Sequence, residues 1–257
     1  MRRRIVPFVL MTACATTSLF AQTGDPKATE FYSPVPKVVT PGLSPSDAPS
    51  DAIILFGGKD LNEWVSSKDP SSAAKWTVAD GSITVKKGTG NIQTKRSFLD
   101  YQLHVEWRIP SNITGSGQAR GNSGIFLAST GQGDLGYEIQ VLDCYNNATY
   151  VNGQTASIYK QSIPLANACK KPGEWQVYDI VWTAPRFNDD GTLKSPARVT
   201  AFHNGVLVQN NYELTGVTMY IGQPKYTRHG ASPIKLQDHG DPSEPISYRN
   251  IWIRELQ

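Results

Sequence analysis

The chain has 257 residues, of which 18% are charged and 39% hydrophobic. That is enough apolar material for a sizeable core in one large or two small domains. Six Trp, eleven Tyr, 22 Gly and 17 Pro favour an all-β protein with many turns over a helical one. The formal net charge of +3 comes entirely from Arg2, Arg3 and Arg4, because residues 1–21 carry no acid and the rest holds 22 basic and 22 acidic side chains. This balance argues against a general nucleic-acid binder.

The first 21 residues read as a secretory signal peptide. Three Arg precede an apolar run from Ile5, and small residues lead to a cleavage point expected after Ala21. The run is too short for a comfortable transmembrane span. Lipid attachment at Cys14 is a rival reading, which Met11 fits poorly. Export to the periplasm or outside the cell is therefore expected. Residues 22–51 follow as a Pro-rich linker, punctuated by Pro26, Pro34, Pro36, Pro41, Pro45 and Pro49.

From Ala52 to Gln257 short alternating runs recur between turn residues. Trp76–Ala79 and Ser82–Val85 flank Asp80-Gly81 and predict a hairpin with a two-residue turn. Tyr101–Ile109 alternates, with Leu103, Val105, Trp107 and Ile109 on one face and Gln102, His104, Glu106 and Arg108 on the other. That pattern leaves His104 exposed. Ser123–Leu127, Gly136–Asp143 and Trp175–Trp182 are further strands. Val199–His203 and Val206–Val208 flank Asn204-Gly205 as a second hairpin, and Pro233–Gln237 and Ile246–Ile253 close the series. No amphipathic helix or internal repeat is evident. Many short strands over about 200 residues suggest a β-sandwich or jelly roll.

In an exported chain that has lost Cys14, the remaining Cys144 and Cys169 suit one disulfide, with two separate buried thiols as the alternative. The bridge would close a loop of about 25 residues and contribute roughly 3 kcal/mol by chain entropy.

Three polar groupings stand out. Tyr137, Ile139 and Val141 can pack inward, which sends Glu138 and Gln140 to the opposite face. That face is either solvent or the floor of a cleft. Arg120-Gly-Asn-Ser-Gly124 is a polar turn entering a strand, and Leu236-Gln-Asp-His-Gly240 places amide, acid and imidazole at a strand end. Loops and strand ends are where sandwiches carry ligand-binding groups.

Seven stretches then occur in the order of a known family: Phe56-Gly-Gly-Lys-Asp-Leu-Asn-Glu-Trp64, Asn122-Ser-Gly-Ile-Phe126, Tyr137–Asp143, Gly173-Glu-Trp175, His203-Asn-Gly205, Leu236–Gly240 and Tyr248-Arg-Asn-Ile-Trp-Ile-Arg254. Over residues 52–257 the chain resembles the 3-keto-disaccharide hydrolase family (DUF1080). It departs at Gly58, where the family commonly has Asn, and in a longer Cys-bearing stretch over 144–169. The resemblance implies a concanavalin A-like jelly roll with a sugar-receiving concave sheet. It also implies cleavage of glycosides oxidised at C3, whose ketone acidifies the C2 hydrogen and permits β-elimination followed by hydration. The implied partners are a carbohydrate substrate and a sugar dehydrogenase that makes the ketone.

Such a route needs a base, an acid for the leaving group and a donor to the enolate oxygen. Glu138 and His239 are the acid/base candidates, and burial would raise the Glu138 pKa into the working range. Asn122 and Gln140 would hold sugar hydroxyls, and Tyr159 and Lys160 would wall the cleft. Arg249 is either a ligand to the enolate or, alternating with Ile251 and Ile253, a structural brace. Trp64 is read as core more than as a sugar platform. His203, beside a hairpin turn, and His229, in a polar loop, attract no catalytic role. No cofactor is expected, although a calcium ion on carboxylates and carbonyls would leave little trace in sequence.

Two other functions compete. A laminarinase-type glycosidase would place acids at 138, 140 and 143, but the middle position is Gln140, so the carboxylate pair is incomplete. A non-catalytic lectin-like module would need platforms and amides more than a converging Glu and His.

Overall fold

The structure, a computed structural model, describes residues 24–256; the signal peptide expected over 1–21, with Cys14, lies outside the described residues. The chain divides into two compact units with the boundary at Val38/Val39. The described part of the first holds a single 3-10 turn, Pro26–Thr29, capped by the Asp25 side chain. The second unit carries all the strands, and among the described residues no helix is long and apolar enough to cross a membrane.

Among the described residues fifteen strands occur in chain order: β1 Ile53–Phe56, β2 Trp64–Ser66, β3 Thr77–Ala79, β4 Ser82–Thr84, β5 Ile92–Thr94, β6 Tyr101–Arg108, β7 Ser123–Ser129, β8 Gly136–Val141, β9 Trp175–Thr183, β10 Arg186–Phe187, β11 Leu193–Ser195, β12 Arg198–His203, β13 Val206–Glu213, β14 Lys235–Leu236 and β15 Ser247–Glu255. The larger sheet runs β13-β12-β9-β6-β15-β4-β3, with β1 also on β15. The smaller runs β2-β5-β14-β7-β8, and β10–β11 form a separate ribbon. All pairings are antiparallel, and the two main sheets make the concanavalin A-like sandwich. Both hairpins arise from turn chemistry: Asp80 and Gly81 sit at φ 49° and 70°, Asn204 and Gly205 at 51° and 80°. Both central residues are left-handed, as the twist-matched two-residue turn requires.

The core lies between the sheets. Leu103, Val105 and Trp107 of β6 pack with Tyr137, Ile139 and Val141 of β8, Ile125 and Leu127 of β7, and Tyr178, Ile180 and Trp182 of β9. Trp64 joins this core, its indole N–H donating to the Leu55 carbonyl at 2.8 Å. Tyr178 also crosses the core to donate to the Gln140 carbonyl at 2.8 Å, which fixes β8 against β9. Cys144 and Cys169 form a disulfide with Cα atoms 5.9 Å apart.

The far face of the larger sheet corrects one expectation. His104 is fully buried instead of exposed. Its neighbours across the sheet are Asp179 on β9 and Trp252 on β15. The imidazole Nδ1 lies 2.7 Å from the Asp179 carboxylate, and the ring stacks on Trp252 with centroids 5.0 Å apart. Residues of the Pro-rich segment supply the cover: the Ser46 carbonyl accepts from Asn250 at 2.9 Å and from the Trp252 indole at 3.0 Å. Alternation assigned the face correctly, but it carries no information about what lies on top.

Candidate active site

The exposed side of the smaller sheet is built on β8, whose residues alternate core and cleft. Tyr137, Ile139 and Val141 enter the core, which leaves Glu138 and Gln140 on the other face. Both are nevertheless buried, at 5% and 1% exposure, so the face is a cleft floor and not a wet surface. Space for the carboxylate comes from β7. Gly124 lies opposite Gln140 in the register, and a Cβ there would overlap Glu138 Oε1.

Two loops complete the walls by pairing with the edge of β8. Residues 154–159 run along it, with Gln140 N–H donating to the Ser157 carbonyl at 3.0 Å and Tyr159 N–H to the Glu138 carbonyl at 3.2 Å. This delivers Tyr159. Further along the same edge Thr218 N–H donates to the Gly136 carbonyl at 2.7 Å, and Glu138 N–H donates to the Thr218 hydroxyl at 3.0 Å. This delivers Thr218 and Tyr220. The result is a hollow of about 320 Å³ lined by Asn122, Asp134, Glu138, Gln140, Tyr159, Thr218, Tyr220, Gln237 and His239.

Five expected site residues therefore converge: Glu138, His239, Asn122, Gln140 and Tyr159. Lys160 lies in an adjoining hollow. Arg249 requires a correction, because it belongs to the larger sheet and does not line the cleft. Its Nε donates to Glu106 at 2.6 Å and its guanidinium covers Trp175 at 4.1 Å. The carboxylate of Glu106 and the indole face occupy it as a brace. Of the remaining imidazoles, His203 is buried against Gln176 at 3.1 Å, and His229 lies 3.0 Å from the Tyr137 hydroxyl.

The electrostatics are uneven. Burial pushes the Glu138 carboxyl up to about 8; the negative charge of Asp134 adds to this and the Lys235 ammonium opposes it. Lys235 is itself fully buried, and burial pushes it down to about 8 against the pull of Asp134 and Glu138. Its ammonium donates to the carbonyls of Gly131, Gly133 and Leu135 at 3.0, 2.7 and 3.1 Å. It thereby pins the loop that carries Asp134. Burial and the Tyr150 contact raise the Tyr159 phenol, which stays a donor at every working pH; the two hydroxyls are 2.6 Å apart. His239 lies 3.5 Å through Nδ1 from the Asp241 carboxylate. Burial works against the charge on Asp241, but hydrogen bonds from His239 and Ser243 outweigh it and hold the carboxyl down to about 2.

Amides form a row along the cleft floor. Asn122 donates to the Gln118 carbonyl at 2.8 Å, and Gln140 donates to Asn122 Oδ1 at 3.0 Å. That chain leaves Gln140 Oε1, and separately Gln237 Oε1, buried without a hydrogen-bond partner among the described residues. Buried amide oxygens in this state are costly unless a ligand donates to them. Hydroxyl groups of a ligand are donors of the right kind. Among the described residues no group of three or more His, Cys, Asp or Glu could hold a metal ion.

Sequence reasoning did not single out Lys235, Asp134, Thr218 and Tyr220. Lys235 carried a signal, a lysine inside an otherwise apolar strand Pro233-Ile-Lys-Leu. The other three sit on loops with no periodicity to mark them.

The sequence profile of a family described as the 3-keto-alpha-glucoside-1,2-lyase-like domain matches residues 51–254. A crystal structure from Parabacteroides distasonis, provisionally classed as a glycosyl hydrolase, is 60% identical, with a TM-score of 0.84 over 90% of this chain and 97% of that one. Two further structures from the same organism, classed likewise, share the fold at 20% and 22% identity with TM-scores of 0.56 and 0.57. Each covers 80% of this chain, and 94% and 99% of its own. No curated protein matches the chain.

Proposed function

Because the chain belongs to the 3-keto-alpha-glucoside-1,2-lyase-like family, and is thereby a carbohydrate-active enzyme of the hydrolase and lyase kind, we propose that it cleaves 3-keto-glycosides, including 3-keto-disaccharides, by elimination and hydration. The observation that carries this reading is the meeting of Glu138 and His239 in one sugar-sized hollow with unpaired amide oxygens.

The roles follow from the environments. Asp241 engages His239 through Nδ1, which leaves Nε2 as the base for the C2 hydrogen. As that proton leaves, the electron pair moves onto the C3 oxygen as an enolate, which accepts from the Tyr159 hydroxyl. The enolate then collapses, the C1–O bond breaks, and Glu138 protonates the departing oxygen. A carboxyl pushed up to about 8 still holds that proton at neutral pH. Water next adds to C1 of the enone, giving its proton to the Glu138 carboxylate, while the His239 imidazolium returns a proton to C2. Both groups end as they began. Gln140 and Gln237 take sugar hydroxyls as donors, and Asn122 keeps Gln140 oriented.

The competing readings find less support. Asp143, the third acid of a laminarinase-type array, is ion-paired with Arg120 at 2.6 Å, and Gln140 supplies no carboxylate. An export signal over 1–21 and the Cys144–Cys169 bridge support a periplasmic or secreted site of action. A sugar dehydrogenase would supply the ketone. The test is incubation with a 3-keto-glucoside and with its unoxidised parent, following release of the leaving group. Release from the ketone alone is expected. Equal release from the parent would remove the ketone requirement, and release from neither would favour a lectin-like module.

A further inference from the structure

We propose that the hollow adjoining the active site, walled by Tyr150, Asn152, Lys160, Tyr220 and Gln223, is the subsite for the leaving pyranose of a 3-keto-disaccharide. This rests on the reading of the first hollow as the site of the oxidised sugar.

The second hollow measures about 470 Å³. Tyr220 lines both hollows, so they are contiguous. A glycosidic oxygen at Glu138 would therefore direct its second ring past Tyr220. That ring is 71% exposed, so an aromatic face stands open to a ligand. Its position is nevertheless fixed. The Lys160 ammonium lies 4.1 Å from the Tyr220 ring centroid and donates to the Tyr220 carbonyl at 2.6 Å. The same ammonium lies 5.8 Å from the Tyr150 ring and 5.7 Å from the Tyr159 ring. Three tyrosines thus surround one cation, within the range of cation–π attraction. Among the described residues Lys160 has no carboxylate at ion-pair distance, so its charge is held by ring faces and a carbonyl.

The arrangement is also built from the backbone. Lys160 is left-handed at φ 59°, and its N–H donates to the Asn152 carbonyl at 2.7 Å. A non-glycine residue there carries a conformational cost, and the surrounding contacts hold it in place. An aromatic face, two amides and an ammonium in one open hollow match the chemistry of a pyranose. Its C–H face stacks on Tyr220, and its hydroxyls meet Asn152, Gln223 and Lys160.

The test compares a double variant confined to the second hollow, Asn152→Ala with Gln223→Ala, with the wild type on a 3-keto-disaccharide and on methyl 3-keto-glucoside, whose leaving group is too small for the subsite. The expected result is a roughly tenfold rise in KM for the disaccharide and a change within about twofold for the methyl glycoside. Equal losses on both substrates, or no loss on either, would remove the subsite. Calorimetric binding of unoxidised disaccharide against glucose keeps the two readings apart. If no ketone is cleaved, a disaccharide preference that the double variant abolishes still supports the subsite, and the absence of any preference overturns it.

Discussion

The molecule carries a cluster around a buried glutamate on each of its two main sheets, and the two differ in how fully their polar groups are paired. On the larger sheet, Glu106 accepts from Arg249 at 2.6 Å and from Asn250 at 2.9 Å, with His104 Nε2 at 3.7 Å. On the smaller sheet, Glu138 has an amide row, a pinned lysine and an imidazole nearby, yet the pairing is incomplete, with Gln140 Oε1 and Gln237 Oε1 left over. Burial raises both carboxyls. At Glu106, hydrogen bonds from His104, Asn250 and Arg249 overcome it and bring the pKa down to about 2, whereas at Glu138 burial prevails and takes it up to about 8. Buried polar residues therefore do not by themselves mark a site. What distinguishes this one is unused polar capacity gathered around an open hollow, beside a carboxyl that burial keeps protonated.

The largest effect that sharpens this contrast is expected at Glu138. Glu138→Gln keeps the shape and removes the exchangeable proton. Release of the leaving group from a 3-keto-glucoside should fall by about 10³-fold, within the usual range for losing a general acid. Retained turnover with an intact fold would take Glu138 out of the mechanism. Glu106→Gln, the matched change on the other sheet, should leave turnover near wild type.

A smaller effect is expected from the glycine that makes room for the carboxylate. Gly124→Ala places a methyl group where Glu138 Oε1 now lies. The Gly124 backbone has an ordinary negative-φ or extended conformation, so the substitution displaces the acid without straining its own strand. Turnover should drop about 10- to 100-fold, because a misplacement near 1 Å costs on that order. An unchanged rate would mean that the carboxylate can work from a second position.

The two clusters were unequally legible in the sequence. Asp80-Gly81 and Asn204-Gly205 announced their hairpins because a left-handed pair in a tight turn admits few residue types. The alternation in Gly136–Asp143 put Glu138 and Gln140 on one face, and the order of seven short motifs pointed to the family. Strands β2 and β5, at three residues each, are too short to show a period. The sequence left Arg249 open between ligand and brace, and the burial of His104 was hidden for another reason. In β15 Asn250 is left-handed at φ 46° in a bulge, and the register shifts between Arg249 and Trp252, which pairs with His104. A Pro-rich segment about 200 positions from Trp252 then returns to cover that part of the sheet. Tyr220 and Thr218 reach the cleft only through pairing with the edge of β8, which local composition does not encode.

The remaining effect is in stability, and it has opposite signs in the two clusters. The folded pKa of Glu106 is depressed below its unfolded value, so its contribution is present above about pH 4.5 and is lost as pH falls through about 2. Glu106→Gln should then cost about 1–3 kcal/mol near pH 6, with the gap from wild type narrowing below pH 4.5. The folded pKa of Glu138 is raised, so its neutral form contributes fully below about pH 4.5 and that contribution is lost as pH rises through about 8. Glu138→Gln should match the wild type near pH 4.5 and exceed it at pH 9, by on the order of 5 kcal/mol. Urea unfolding of both variants across pH 3–9 reads the two slopes directly. Parallel profiles would mean that the carboxylates share one environment, and the distinction between a satisfied brace and an unsatisfied site would fall with them.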